Sequence, residues 1–306
     1  MREVDINEND AGQRLDKFLT KYLPALPASM LYRSLRKNCV RINGKHIRDG
    51  AYKLQPGDRL QLYLKDEFFE DKKLDFLDAQ AGFEIIFEDQ NILIVNKKAG
   101  VCAHPDEHGS KNSLIAQIQK YLYQKGDYDP RQEQSFSPAL CNRLDRNTSG
   151  LMIAAKNAAA LREMNQRIKD RQVRKFYQCI VIGTFVQKEG LLEGYLTRGD
   201  KKVTVCAQKK DGAKQIRTAY RVLKETKETS LLEVELLTGR THQIRAQFAQ
   251  AGHPLLGDIK YGGKAAPGFQ HQALCSYRLV FNFSTEGLLS YLDGRSFCLE
   301  NGLLPF

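Results

Sequence analysis

The chain of 306 residues has no apolar run long enough to cross a bilayer, and none of its seven cysteines lies in a Cys-x-x-Cys pair. The first absence excludes a helical membrane span. The second, with the odd cysteine count, argues against zinc motifs and a disulfide framework, and the thiols suit a reducing cytosol. His104 and His108 are spaced like metal ligands, but a structural zinc needs four such groups and no second pair stands nearby, so no metal is expected. No signal peptide is read at the start, and no repeat or low-complexity tract follows, so a cytoplasmic location is expected. Acids are outnumbered: the formal net charge is +11. That excess favours a polyanionic partner, nucleic acid before a membrane.

The shortage of acids is sharpest between residues 14 and 48. There Arg14, Lys17, Lys21, Arg33, Arg36, Lys37, Arg41, Lys45 and Arg48 face a single acid, Asp16. Such a module tracks phosphates in a salt-dependent way; the other reading is a solvated helix face. Its local signals are clear. Val4 to Ile6 is a short strand. Leu15, Phe18, Leu19 and Tyr22 give the period of a helix from Arg14 to Leu23, ended by Pro24 and Pro27. Ser29 is the expected N-cap of a second helix, Met30 to Lys37, closed by a left-handed Asn38. Cys39 to Ile42 is a strand that turns at Asn43-Gly44, and Arg59 to Leu64 alternates like another. Residues 66–80 mix charges without a period and read as a linker, which Phe68, Phe69 and Phe76 can dock against either side. The expected units are 1–65, the linker 66–80, and 81–306.

In the larger unit, Phe83 to Glu88 and Ile92 to Val95 read as strands and Ser113 to Tyr123 as an amphipathic helix, with a polar loop over 126–137. Then comes Asn142-Arg143-Leu144-Asp145-Arg146-Asn147-Thr148-Ser149-Gly150. An acid lies between two arginines, followed by a turn signal and an apolar run, Leu151 to Ala155, that reads as a buried strand. Asp145 is thus expected on a loop at the edge of a rigid sheet, ionised by its cationic neighbours. It is either a nucleophile or base, or an ion-paired loop aspartate. Asn157 caps a helix to Lys169. The strand from Arg174 to Ile182 sends Lys175 and Tyr177 to one face, Phe176 and Gln178 to the other. Tyr177 beside Asp145 would stack on a base and offer a hydroxyl; otherwise it is an ordinary strand tyrosine. Residues 198–224 are basic, either a second phosphate-binding face or a solvated one. Leu231 to Leu237 is a strand leading into Thr238-Gly239-Arg240-Thr241-His242-Gln243-Ile244-Arg245. Thr241 is the expected cap of a helix to Gln250. Arg245 suits a bidentate carboxylate pair, expected with Asp145, or is a surface arginine. Segments 279–283 and 296–299 read as closing strands.

Arg143-Leu144-Asp145-x-x-Thr148-Ser149-Gly150-Leu151 resembles the signature of the RluA-type pseudouridine synthases. Asn142 departs from that family's histidine, and Lys98, in Asn96-Lys97-Lys98-x-Gly100, from its proline. His104-Pro105 is also similar, with His104 expected to fill a turn, as are the Lys175-x-Tyr177 pair, Thr238 to Arg245, and Gly252 to Gly262. Residues 12–64 resemble an S4 RNA-binding domain, and Ser29 to Arg33 with the two-part layout resemble the RluC and RluD branches. The resemblance implies an α+β fold: a core on a mixed, mostly antiparallel sheet with a central cleft, plus a small N-terminal S4-like (α-L) domain. It implies Asp145, Tyr177 and Arg245 as catalytic residues. Arg14, Lys17, Arg33, Arg36, Lys37, Arg41 and Lys45 in the head, and Arg143, Arg240 and His242 in the core, are expected to meet RNA. The implied partner is large-subunit ribosomal RNA or its precursor particle, met by a monomer without cofactor or membrane. The uridine is flipped into the cleft at a cost of a few kcal/mol, and Asp145 attacks ribose or base, or removes a ribose proton. The alternatives are a non-catalytic ribosome-assembly factor on the same fold, and an N-glycosidase, against which the lack of a second acid in an equivalent motif argues.

Overall fold

The computed structural model describes residues 1–69, 74–80, 82–105, 111–199, 202–300 and 302–303. The head holds β1 (Arg2–Asp5), α1 (Leu15–Tyr22), α2 (Ala28–Arg36), β2 (Val40–Ile42), β3 (Lys45–His46) and β4 (Arg59–Leu62), with an antiparallel sheet in the order β1-β4-β2-β3. The helical period of α1 buries Leu15, Phe18 and Leu19, and α2 buries Leu31 and Leu35 on the same core. One expectation fails here. α2 starts at Ala28, with Pro27 in the cap position and no side-chain cap, so Ser29 lies inside the first turn. Pro27 has the fixed φ and missing N–H that a helix start tolerates. Asn38 is left-handed, as expected, and Asn43 and Gly44 both have positive φ, the requirement of a two-residue hairpin turn.

The segment read as a linker divides its aromatics. Phe68 and Phe69 pack against the head's core, whereas Phe76 is buried in the core of the larger unit, edge-on to Tyr123 at 5.8 Å. Polar contacts join the two units directly. Asn9 accepts from the backbone N–H of Ala158, the Ser135 hydroxyl donates to Asp10 at 2.6 Å, and Arg162 donates to the Ala11 carbonyl.

The larger unit holds β5 (Glu84–Glu88), β6 (Ile92–Lys97), α3 (Leu114–Lys125), β7 (Ala139–Leu140), β8 (Ser149–Ala155), α4 (Ala158–Lys169), β9 (Val173–Ile182), β10 (Glu189–Arg198), β11 (Val203–Cys206), β12 (Lys214–Glu225), β13 (Thr229–Leu236), α5 (Gln243–Gln250), β14 (Leu274–Phe281) and β15 (Ser296–Cys298). Among the described residues they form one 11-stranded sheet, in the order β11-β10-β12-β13-β9-β14-β8-β6-β5, with β15 added to β14 and β7 to β8. Every pairing is antiparallel except β14 with β8. The fold is α+β on a mixed, mostly antiparallel sheet. The middle strands are apolar without alternation because both faces are covered. Leu93, Val95 and Met152 join Tyr177 and Phe248 on one face, while Ile92, Ile94 and Ile153 join Met164 and Phe281 on the other.

The parallel junction explains a second difference. Ser149 and Gly150, read as turn residues, are already strand. Gly150 has φ +116°, and a Cβ there would lie 2.2 Å from the Ser276 carbonyl oxygen, so only glycine lets β8 run against β14. The junction fixes where β8 begins, and with it the loop that carries Asp145.

Candidate active site

Asp145 lies on the loop just before β8, at the edge of the sheet's middle strands. Two buried polar side chains hold that loop. Lys97, at the end of β6, is fully buried and donates to the carbonyls of Lys98, Val101 and Arg146 at 3.0, 2.9 and 2.8 Å. Three carbonyls match the three donors of an ammonium, while burial lowers the Lys97 pKa to about 8. Asn142 accepts from the Ile153 N–H at 2.8 Å and donates to the Leu151 carbonyl at 3.3 Å. An amide carries both a donor and an acceptor, so Asn142 pins the loop to β8 by itself.

The partner of Asp145 comes from α5. Arg245 Nη1 donates to Asp145 Oδ2 at 2.9 Å, and its Nε and Nη2 fork onto Asp258 at 2.7 and 2.8 Å. The pair with Asp145 is found as expected, but the bidentate form expected for it is not. The fork belongs to Asp258, which is buried, and Asp145 receives the remaining nitrogen. The flanking Arg143 and Arg146, expected to keep Asp145 charged, are exposed, and its ion-pair partner among the described residues is Arg245, with His242 Nε2 3.6 Å from the same oxygen. The other carboxylate oxygen, Oδ1, makes no hydrogen bond within the described residues.

α5 also departs from expectation at its start. His242, not Thr241, occupies the cap, with φ +56° and no side-chain cap. A left-handed residue between Thr241 and the first turn removes Thr241 from the capping position. Gln243 ties the turn instead, accepting from the Arg240 N–H and the Thr238 hydroxyl. His242 Nδ1 meets the Tyr261 hydroxyl at 2.9 Å. Burial lowers the His242 pKa more than nearby Asp145 raises it, which favours a neutral ring.

Tyr177 on β9 is buried and forms a cleft wall with Lys175, as strand alternation requires. Burial raises its hydroxyl pKa, so the group is a neutral phenol lining the cleft. The cleft has a volume of about 300 Å³, and Asp145, Tyr177, Leu236, Arg240, His242 and Arg245 lie around it. It can take a planar, partly apolar group against Tyr177, with a held carboxylate alongside.

The residues expected to meet RNA separate into sets. Arg143 and Arg240 are exposed beside the cleft, and His242 is half-buried in it. Lys17, Arg33, Arg36, Lys37 and Lys45 are exposed on the head. Arg14 is engaged otherwise, forked onto Asp16 at 3.1 and 2.7 Å, and half-buried Arg41 lies 5.0 Å over the Tyr63 ring. His104 is exposed in a turn, while His108 lies outside the described residues. No group of metal ligands is found among the described residues, nor a helix long and apolar enough to cross a membrane.

Sequence reasoning gave no role to Asp258 or Lys97. A signal for Asp258 existed. A guanidinium on the buried face of a helix needs a counter-charge, and Asp258 is the only acid in Gly252 to Gly262.

Residues 91–250 match a family model described as RNA pseudouridylate synthase, and residues 13–60 match the S4 domain. An uncharacterized RNA pseudouridine synthase of Aquifex aeolicus (strain VF5) is 32% identical over 285 residues, covering 90% of this chain and 87% of the relative. The ribosomal large subunit pseudouridine synthase C of Vibrio parahaemolyticus is 31% identical over 275 residues, covering 88% and 82%. The solved structure of human RNA pseudouridylate synthase domain containing 1 shares the fold, with a TM-score of 0.53 at 22% identity over 74% of this chain and 89% of its own. With its cleft, its S4 head and relatives matched over most of its length, the chain belongs to the RNA pseudouridylate synthase family.

Proposed function

We propose that this isomerase converts uridines of large-subunit ribosomal RNA to pseudouridine, acting as a monomer with Asp145 as the reacting carboxylate. The observation that carries the reading is the asymmetry of Asp145. One oxygen is held by Arg245 at 2.9 Å and the other makes no hydrogen bond within the described residues, in a cleft walled by Tyr177. Such a carboxylate is aimed and keeps a lone pair for the substrate. Uridine leaves its stack to reach the cleft, and the Tyr177 ring replaces part of the lost stacking. The N-glycosidic bond breaks, the uracil turns, and C5 joins the sugar carbon, the C5 proton leaving and the freed N1 taking one up. Atoms and electrons balance without oxidant or co-reactant. Arg33, Arg36, Lys37 and their neighbours on the head, with Arg143 and Arg240 at the cleft, hold the RNA backbone. The choice of ribosomal RNA rests on the basic head and on relatives named for the large subunit.

The test is tritium release from large-subunit RNA labelled at uridine C5, offered as naked transcript and as precursor particles. Release from either, with pseudouridine in the digest, supports the reading. Free uracil in the product would replace it with a glycosidase, and no release from either substrate would replace it with an assembly factor.

A further inference from the structure

The cleft wall carries Arg143, Lys175, Arg240 and Arg245, with Asp145 as its one acid. Arg245 is neutralised by Asp145 and Asp258. Lys175 is not. It is half-buried, and among the described residues it has no ion pair and no hydrogen bond; burial alone acts on its pKa, downward. Lys97 shows how this protein treats an ammonium that serves only the fold: all three donors are given to carbonyls. A half-buried ammonium without a protein partner is partly stripped of water on its cleft side, and an arriving anion would replace the water it has lost.

A second observation concerns access. Gly239 is not among the residues of positive φ, so its backbone does not demand glycine. Among the described residues, the one heavy atom within 4 Å of a Cβ built there is Lys175 Nζ, at 3.9 Å. What the missing side chain provides is an uncovered ammonium, beneath the turn that leads to Arg240. A third is spacing. Lys175 and Tyr177 leave the same face of β9, and residues two apart on a strand are separated by about 7 Å. That is comparable with the span from a base to its own phosphate.

We propose that Lys175 is a phosphate-binding residue inside the cleft, receiving the phosphodiester beside the uridine whose base lies on Tyr177, while Arg143 and Arg240 hold the backbone outside it. This rests on the reading of the cleft as a uridine site. Lys175 is a positioning residue: it fixes the sugar–phosphate so that the glycosidic carbon meets Asp145, and takes no part in bond making.

The test has two arms. In the first, equilibrium binding of a short oligouridylate is followed over a range of KCl for wild type, Lys175→Gln and Lys175→Arg. Lys175→Gln should weaken binding by roughly 10-fold or more and reduce the salt slope by about 0.7, the contribution of one phosphate contact on a single strand. Lys175→Arg should restore the slope. Gly239→Val, which covers the ammonium, should weaken binding in the same sense. In the second arm, tritium release from large-subunit RNA should show the Lys175→Gln loss in KM rather than in kcat, with thermal unfolding unchanged. Binding within twofold of wild type at an unchanged slope would overturn the inference, whatever the activity. Wild type that binds as described but releases no tritium would leave the anion site standing and remove the uridine-isomerase reading.

Discussion

Two of the protein's arginine–aspartate pairs are built in opposite senses. In the head, Arg14 forks onto Asp16, and the acid is the buried partner: its side chain is 5% exposed against 51% for the arginine. Both Asp16 oxygens are used, one by Arg14 and the other by Arg14 and the Tyr32 hydroxyl. In the cleft the arginine is the buried partner, 8% exposed against 23% for Asp145, and only one Asp145 oxygen is held. A carboxylate whose oxygens are all taken is a structural joint. One that is held from behind with an oxygen left over has an orientation and a remaining lone pair. Composition did not distinguish them, since both acids sit among cations. What separates them is which partner the fold withdraws from water.

The contrast is sharpest on removing each arginine. Arg245→Met would strand the buried carboxylate of Asp258 together with Asp145, and breaking a buried pair from one side costs about 3–5 kcal/mol. Thermal unfolding should register the loss, and tritium release should fall below detection. Arg245→Lys should recover stability in part but little turnover, because an ammonium cannot fork onto Asp258 while reaching Asp145. Arg14→Met should instead lower the melting temperature while leaving turnover near wild type, because it leaves the buried Asp16 carboxylate with the Tyr32 hydroxyl as its side-chain partner. Equal losses of turnover from the two substitutions would break the distinction.

The acid side offers a second separation. The Asp16 pKa is lowered from 3.8, with the Arg14 hydrogen bond as the largest cause. A carboxyl group more acidic in the folded state binds fewer protons there, so its contribution to stability is present above pH 3.8 and is lost as pH falls through the lower folded value. Denaturation of wild type and Arg14→Met between pH 5 and pH 2 should therefore converge at the acid end. A stability difference independent of pH would mean that Arg14 acts by packing rather than by charge.

Much of this arrangement was legible before the fold was known, and the missing parts share a cause. Asp145 was readable from a local run that places an acid between a turn and a buried strand. Lys175 and Tyr177 were assigned to one face by strand period alone. Arg245 was marked by type and by its helix. What could not be read was pairing across long separations. The cations beside Asp145 in sequence, Arg143 and Arg146, are not its ion partners, while Arg245, one hundred residues on, is. Lys97 reaches the Arg146 carbonyl across 49 positions. Ser29 and Thr241 were misread as caps because capping depends on the φ of a single neighbouring residue, which a residue type only biases. The docking of Phe68 and Phe69 on one core and of Phe76 on the other was likewise set by tertiary contacts that mixed charge conceals.

Smaller effects should separate the ring of Tyr177 from its hydroxyl. Tyr177 lines the cleft with a hydroxyl that burial keeps neutral. Tyr177→Phe should lower kcat by less than about tenfold, the worth of one hydrogen bond. Tyr177→Leu, which removes the stacking surface, should cost more, and the reverse order would assign the hydroxyl to proton transfer. The smallest effects belong to the head. Arg33→Ala and Arg36→Ala should each reduce the salt slope of RNA binding by about 0.7–0.9. Arg14→Ala should leave that slope unchanged, because its guanidinium is already committed to Asp16.

The central claim is that Asp145, held by Arg245 on one side, is the reacting group. It is tested most directly by Asp145→Asn, which keeps the size and the acceptor facing Arg245 but removes the charge. Tritium release from C5-labelled large-subunit RNA, or from its precursor particle, should vanish while RNA affinity stays within a few fold of wild type. Full turnover by Asp145→Asn would contradict the account, and Asp145 would then be a structural joint like Asp16.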